Sequence, residues 1–359
     1  MTIATQPPAR ANIALADDDH EQIVIRQDPR TGLRFIVAVH STVLGPALGG
    51  MRLKRYPGGL REALEDVMGL ARTMTLKASA AGLELGGGKA VMIDDGRHDL
   101  RAARLEGAAG VIEGLDGAYI TAEDIGTTTA DMDHLSRFTR FAVGRSRENG
   151  GGGDPSPVTA ETVFQAMRRG LEAATESDTL EERRVGIVGL GKVGSVLATR
   201  LAEAGARVIA CDLDSKRCER LSATHGLEIA PSAEYILASE LDVLAPCAAG
   251  GLIDDALARG LDCRVIAGAA NNPLTDRSVA RTLMDRDILY VPDFLANCGG
   301  LIHVSTEWYG DRSPAESDLI AGAMERLELA LETSESEGAP PIEVAERQAL
   351  ERVHAARTG

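Results

Sequence analysis

The stretch from Arg184 to Asp212 constrains the fold more than any other part of the chain. Arg184–Val188 is a compact β-type run, followed by the turn Gly189-Leu190-Gly191-Lys192-Val193-Gly194 and a helical stretch reaching Ala206. A second β run, Arg207–Cys211, ends at Asp212. In such a unit Gly189 permits the tight turn, Gly191 lets the backbone approach a pyrophosphate, and Gly194 lets helix and strand pack closely. The helix N-terminus offers N–H donors and the positive end of its dipole to phosphates, which makes Leu190, Lys192 and Val193 candidates alongside the glycines. Asp212 stands where an acid binds the adenine-ribose hydroxyls and repels a 2′-phosphate, so NAD is favoured over NADP; Lys216 and Arg217 soften that preference. A lone glycine turn says little. Here strand, turn, helix, strand and acid follow in the required order, and a Rossmann unit is expected.

That unit occupies only part of 359 residues, a length that calls for two domains. The segment Glu148-Asn149-Gly150-Gly151-Gly152-Gly153-Asp154-Pro155-Ser156-Pro157 is the clearest linker signal. It divides the chain into residues 1–148, a Rossmann domain over 149–333, and a terminal piece, 334–359. The net charge of −16 speaks against nucleic acid or an anionic membrane as partner. No run of apolar residues is long enough to span a bilayer, and the first 19 residues lack a basic-then-apolar signal and read as a frayed tail. The five cysteines (211, 218, 247, 263, 298) sit singly with no metal-ligand or CxxC spacing, as expected of reduced thiols in a cytoplasmic protein without a metal site.

Upstream of the linker, alternating runs Ile23–Arg26 and Arg34–His40 around Asp28–Gly32 predict a β-hairpin. A glycine-rich turn over Gly45–Gly50 follows, and the apolar stripe Leu60, Leu64, Val67, Ala71, Met74, Ala78 predicts a helix over 60–78. Leu85-Gly86-Gly87-Gly88-Lys89 leads into the apolar run Ala90–Ile93; a helix over 101–115 and a strand over 118–121 precede Glu123-Asp124. Beyond the linker a helix is expected over 159–174. Near the C-terminus Ser313-Pro314-Ala315-Glu316 reads as a capping box with proline at the first helical position, and a last helix covers roughly 342–357.

Two lysines and an aspartate have unusual settings. Lys77 lies beside the apolar stripe of its helix, and Lys89 follows three glycines. A desolvated lysine loses proton affinity and becomes a usable base near neutral pH, and Asp124 at the end of a β run could shuttle protons. Taken alone, each also fits an ordinary role: a lysine after a glycine turn is usually solvated, and an Asp shortly before a glycine usually forms a turn.

The motifs Leu44–Arg52 (LGPALGGMR), Met74–Ala90 (MTLKASAAGLELGGGKA), Thr121–Thr127 (TAEDIGT), Glu148–Ala160, Ala245–Ala248 (APCA), Gly268–Asn272 (GAANN) and Pro292–Val304 (PDFLANCGGLIHV) resemble the Glu/Leu/Phe/Val dehydrogenase superfamily over nearly the whole chain, and most of all its leucine, valine and phenylalanine dehydrogenase branch. The resemblance implies an α/β fold of two domains, a substrate and oligomerisation domain followed by a Rossmann domain, with the last helix returning to the first and the cleft between them closing over substrate. It implies an enzyme acting on CH–NH2 donors with NAD, assembled as a homo-oligomer of dimer to octamer. By the same resemblance Lys77 binds the substrate carboxylate, Lys89 is the general base acting through water, and Asp124 exchanges protons with the amine and imine. Gly49 and Gly50 lie against the substrate, with Met74 nearby. Thr159, Asn271 and Asn272 hold the nicotinamide end and the substrate, Asn297 flanks the cleft, and Cys247 and Ala248 border the cofactor.

The side-chain pocket is read from four positions. Glutamate enzymes place a lysine and a serine where this chain has Leu48 and Val304, and a carboxylate buried against two aliphatic groups would cost several kcal/mol. An apolar side chain gains about 0.8 kcal/mol per buried CH2 instead. Ala122 resembles the leucine and valine enzymes, while Leu301 resembles some phenylalanine enzymes; both shrink a pocket, which favours a branched aliphatic substrate of valine or leucine size. The alternatives are an aromatic amino acid dehydrogenase and, more distantly, an inactive NAD-binding homologue. A 2-hydroxy acid dehydrogenase would need a histidine–carboxylate pair, which none of the seven histidines suggests; His303 is expected to line or back the cleft.

Overall fold

The computed structural model describes residues 19–358. The frayed tail expected over residues 1–19 lies outside the described residues except for Asp19. That residue is tied down, its carboxylate meeting His40 Nε2 at 3.0 Å and Arg72 Nη2 at 2.8 Å.

The expected hairpin forms as β1 (Gln22–Asp28) and β2 (Leu33–Ser41), paired antiparallel. With β3 (Ala47–Lys54), β4 (Gly86–Ile93) and β5 (Tyr119–Glu123) it makes a five-stranded sheet in the order β1-β2-β4-β3-β5, where β3 runs parallel to β4 and β5. Helix α1 (Gly59–Ala80) covers one face, and α2 (Arg101–Glu113) with α3 (Thr129–Leu135) covers the other. Alternation serves both: Ile36, Ala38, Val91 and Ile93 pack with Val67 and Ala71, while Phe35, Val37, Ala90 and Met92 pack with Leu105, Ile112 and Met132.

Two stretches expected as glycine turns are strand instead. Of Gly45–Gly50 only Gly45, at φ +138°, serves the turn; Gly49 and Gly50 lie inside β3. Gly86-Gly87-Gly88 likewise open β4. The reason is space: a Cβ on Gly87 would sit 2.0 Å from Thr75 N, and one on Gly88 would sit 2.8 Å from the Tyr119 ring. The missing side chains let α1 press onto β4, so Met74 and Lys77 are brought to the same patch as Lys89.

After α4 (Ser156–Thr175) the chain enters the second sheet, β6 (Arg184–Val188), β7 (Arg207–Cys211), β8 (Glu228–Ile229), β9 (Glu240–Pro246), β10 (Asp262–Ile266) and β11 (Leu289–Tyr290). All six are parallel in the order β11-β10-β9-β6-β7-β8, the doubly wound order of a Rossmann domain. The helices here are α5 (Lys192–Glu203), α6 (Ser215–His225), α7 (Ala233–Leu237), α8 (Asp255–Ala258), α9 (Val279–Met284), α10 (Asp293–Ala296), α11 (Gly299–Tyr309), α12 (Glu316–Glu337) and α13 (Pro341–Thr358). The boundary expected at 333/334 falls inside α12. Helix α13 lies against α1: Ser79 Oγ donates to Ala349 O at 2.7 Å, and Arg352 donates to Leu83 O at 2.9 Å.

The linker and the capping box both come out differently. Residues 150–155 form a strap packed on α11, where Gly152 N donates to the Glu307 carboxylate at 3.3 Å and a Cβ on Gly152 would meet the His303 ring at 2.5 Å. Its glycines permit contact rather than looseness. The capping box is absent because Glu316 meets His303 Nδ1 at 2.7 Å, and α12 begins at Glu316 itself, not at Pro314. Among the described residues no helix is long and apolar enough to cross a membrane.

Candidate active site

The first cluster gathers on the sheet of the N-terminal half. Lys89, on β4, is buried, and its Nζ lies 3.2 Å from Asp124 Oδ2 just beyond the end of β5. Asp124 also forms the turn that its sequence suggested, since Thr127 N donates to its carbonyl at 3.0 Å while its side chain reaches back to Lys89. Burial pushes the Lys89 ammonium below the ordinary lysine range, Arg52 repels it in the same direction, and Asp124 opposes. For Asp124 burial raises the pKa, but Lys89 and Arg52 outweigh it and hold the carboxyl below the usual carboxylate range. Gly50 stands next to this pair: a Cβ there would be 2.7 Å from Glu123 O and 2.8 Å from Asp124 Cβ. Tyr119 fixes the same backbone, its hydroxyl donating to Gly49 O at 2.6 Å.

The second cluster joins α1 to the loops of the second half of the chain. Buried Lys77, near the C-terminal end of α1, donates from Nζ to Asn297 Oδ1 at 2.5 Å and Asn271 Oδ1 at 3.1 Å. Asn297 Nδ2 in turn donates to Ala269 O at 3.1 Å and Asn271 Oδ1 at 3.0 Å, which orients its amide. Burial again lowers the lysine pKa, with Asp293 as the main opposing charge. Neutral amide oxygens satisfy the ammonium without cancelling its charge, so it keeps attraction for an incoming carboxylate. Asn272 adopts a left-handed backbone at φ +48°, and its N–H donates to Asp293 at 2.6 Å; Asn271 and Asn272 are exposed.

Around these clusters lies an apolar wall. Leu48, Ala122, Val143, Leu301 and Val304 are buried in one continuous core that joins the two sheets, with Met74 packed against it. A Cβ on Gly49 would touch Met74 Cγ at 3.4 Å, and one on Gly144 would approach Val304 Cγ1 at 3.7 Å. Thr159, on α4, sits under α11, where a Cβ on Gly300 would come within 2.9 Å of its hydroxyl.

The cofactor turn has the shape its glycines required. Gly189 takes φ +104°, and a Cβ on it would lie 2.8 Å from Ala248 N; one on Gly194 would lie 2.1 Å from Gly189 O and 3.3 Å from Cys247 Cβ. Gly191 faces open space, with nothing within 4 Å of a Cβ, as a close-approaching phosphate group requires. The turn leaves β6 beside the end of β9, where the strand order reverses and dinucleotides bind in this architecture. Asp212 accepts from Leu190 N at 2.6 Å and meets Arg217 Nη1 at 3.3 Å. Leu190 is buried beneath the turn with Val193 packed alongside. Lys192 reaches across to the first domain, 3.9 Å from Glu123. Burial pushes the Cys247 thiol up to about 11, so it stays protonated near neutral pH and is a poor nucleophile.

The structure thus brings Lys77, Asn271 and Asn297 together, pairs Lys89 with Asp124, and gathers the glycine turn with Cys247, Ala248 and Asp212. Sequence reading missed Arg52, Asp66, Tyr56, Tyr119, Glu123 and Asp293. Arg52 closes the Leu44–Arg52 motif, and only once β3 is seen to be a strand does its alternation put Arg52 on the same face as Gly50.

Comparison with known proteins extends the geometry. The family model for the Glu/Leu/Phe/Val dehydrogenase dimerisation domain matches residues 20–140, and that for glutamate/leucine/phenylalanine/valine dehydrogenase matches 212–358. The NAD-binding domain of D-isomer specific 2-hydroxyacid dehydrogenases matches only 159–245, the cofactor region. Leucine dehydrogenase of Thermoactinomyces intermedius is 39% identical over 94% of this chain and 92% of its own. Valine dehydrogenase of Streptomyces albus is 40% identical over 99% of both. Among solved structures, L-tryptophan dehydrogenase from Nostoc punctiforme superposes with a TM-score of 0.81 at 30% identity, covering 95% of this chain and 98% of that one.

Proposed function

Because the chain belongs to the Glu/Leu/Phe/Val dehydrogenase family, we propose that it catalyses the NAD-dependent, reversible oxidative deamination of a branched aliphatic L-amino acid, of valine or leucine size, to its 2-oxo acid and ammonia. The observation that carries this reading is the Lys89–Asp124 pair at 3.2 Å, with Lys89 buried and a second buried lysine, Lys77, held by two asparagine oxygens. Leucine and valine dehydrogenases at about 40% identity over nearly the full chain support the reaction and the substrate class.

The residues divide the work as follows. Lys77 receives the substrate carboxylate. Lys89, its proton affinity lowered by burial, draws a proton from water, and Asp124 takes and returns protons at the substrate nitrogen. The dinucleotide, when bound, supplies the hydride acceptor. Gly189, Gly191 and Gly194, with Cys247 and Ala248 packed beside them, fit its phosphates, since Gly191 faces open space while Gly189 and Gly194 leave no room for a side chain. Asp212, already committed to Leu190 N and Arg217, presents a carboxylate that favours an unphosphorylated ribose and so NAD over NADP. Leu48, Ala122, Leu301 and Val304 exclude water and a distal carboxylate from the side-chain end. The match of residues 20–140 to a dimerisation domain supports a homo-oligomer.

Steady-state kcat/KM for valine, leucine, phenylalanine, tryptophan and glutamate tests the proposal. Valine or leucine is expected to lead the aromatic substrates by roughly tenfold or more, since pocket discrimination of this kind amounts to about 1–3 kcal/mol. A clear aromatic preference overturns the substrate class. NADH oxidation with a 2-oxo acid that needs no ammonia overturns the reaction.

A further inference from the structure

Asp124 is held from two sides. Lys89 approaches Oδ2 at 3.2 Å, and Arg52 Nε donates to the same Oδ2 at 2.8 Å. The other end of the guanidinium is anchored: Arg52 Nη1 donates to Asp66 Oδ2 at 3.1 Å, and Tyr56 hydroxyl donates to that oxygen at 2.6 Å. Tyr56 is buried and the Arg52 side chain is only 13% exposed, so these are sheltered bonds and not surface pairs. The chain Tyr56–Asp66–Arg52–Asp124–Lys89 therefore runs from the start of α1 to the reacting centre. Both cations make their closest contact with Oδ2.

We propose that Arg52, anchored by Asp66 and Tyr56, is the positioning residue for Asp124: it fixes the carboxylate's orientation and sets the charge balance of the Lys89–Asp124 pair. This inference rests on the dehydrogenase reading above. A planar guanidinium with a fixed fork does this where a lysine would not, because its two ends bind Asp124 and Asp66 in one rigid unit. Electrostatically, Arg52 adds a positive charge beside Lys89 and so favours the neutral amine that the base role requires. Asp66 opposes it. The other titratable groups facing the pair are Lys77 on α1, Tyr56 after β3 and Tyr119 on β5.

The two members of the chain should shift the enzyme in opposite directions. Loss of the Arg52 charge raises the affinity of both Lys89 and Asp124 for a proton, so the acid-side limb of the kcat/KM profile for deamination moves to higher pH. A neighbouring charge at this range is worth roughly 1–3 pH units. Loss of the Asp66 charge leaves Arg52 uncompensated and moves the limb to lower pH. The experiment measures pH profiles of the wild type, Arg52→Gln, Arg52→Lys and Asp66→Asn. Expected are a limb raised by about one unit or more in Arg52→Gln, a limb near the wild-type position with reduced kcat in Arg52→Lys, and a lowered limb in Asp66→Asn. Wild-type protein without ammonia-dependent NADH oxidation defeats the functional reading itself. With an active wild type, an unmoved limb in Arg52→Gln, or an unmoved or raised limb in Asp66→Asn, overturns the role given to Arg52. Should Arg52→Gln fail to fold, Asp66→Asn decides alone.

Discussion

Replacing Gly50 by alanine tests how closely the sheet holds the acid–base pair. The residue lies in the middle of β3, so alanine meets no backbone penalty; only space opposes it. Its new methyl would lie 2.7 Å from Glu123 O and 2.8 Å from Asp124 Cβ. An ordinary contact needs about 3.5–4.0 Å between carbons, so the end of β5 must retreat by roughly 1 Å. Overpacking of this kind costs about 1–3 kcal/mol, which lowers the melting temperature by roughly 1–2 °C per kcal/mol in a protein of this size. Catalysis should suffer far more, because a misplacement of about 1 Å can cost on the order of 100-fold. Asp124 would be pulled away from Lys89 Nζ while the cofactor turn stays intact. The assay is kcat/KM for the best amino acid substrate beside an NADH fluorescence titration and a thermal melt. The expected pattern is a loss of about 100-fold in kcat/KM with NADH affinity unchanged. A folded Gly50→Ala enzyme that keeps kcat/KM within threefold would refute the claim that Asp124 placement limits the reaction.

Other substitutions separate the remaining roles. Lys77→Met should raise the amino acid KM by about 100-fold or more, the worth of a buried charge-assisted contact, without altering NADH binding; a normal KM in steady-state kinetics refutes the carboxylate role. Asp212→Ser should raise the NADP-to-NAD ratio of kcat/KM by tenfold or more, since it removes the carboxylate that repels a 2′-phosphate; an unchanged ratio excludes Asp212 as the discriminator. Asp95, bonded to Arg104 and Arg97, has its carboxyl held well below the usual carboxylate range, chiefly by the bond from Arg104. The folded pKa lies below the unfolded one, so its stabilising effect is complete above about pH 4 and is lost as pH falls towards the folded value. Chemical denaturation of Asp95→Asn should therefore show a deficit against wild type at pH 7 that closes below pH 4, and a deficit independent of pH refutes the linkage.

How far the site could be read from sequence depends on whether its parts are local. The cofactor turn is local: Arg184–Val188 and Arg207–Cys211 form strands with the very bounds their composition indicated, and Gly189 and Gly194 are glycines for reasons inside that one unit. The substrate half is not local. Gly86-Gly87-Gly88 read as a turn because glycine is rare inside strands, and their purpose appears only once Thr75 and Tyr119 occupy the space that side chains would fill. Lys89 looked solvated for the same reason. Its burial follows from α1 lying on those glycines, a contact no window of sequence contains. Resemblance to a family pointed to Lys77, Lys89 and Asp124, yet it said nothing of what keeps them in place. Arg52 and Asp124 stand 72 residues apart, and Lys77 and Asn297 stand 220 apart. Residues proposed to touch the substrate stand inside the motifs, whereas those that hold them in register stand at a motif's edge, as Arg52 does, or outside every motif, as Asp66 does, and are marked only by a charge on the correct face. Arg52, two positions after Gly50 on one strand, is such a charge, and its reversal of sign against Asp66 is the observation most able to separate positioning from mere packing.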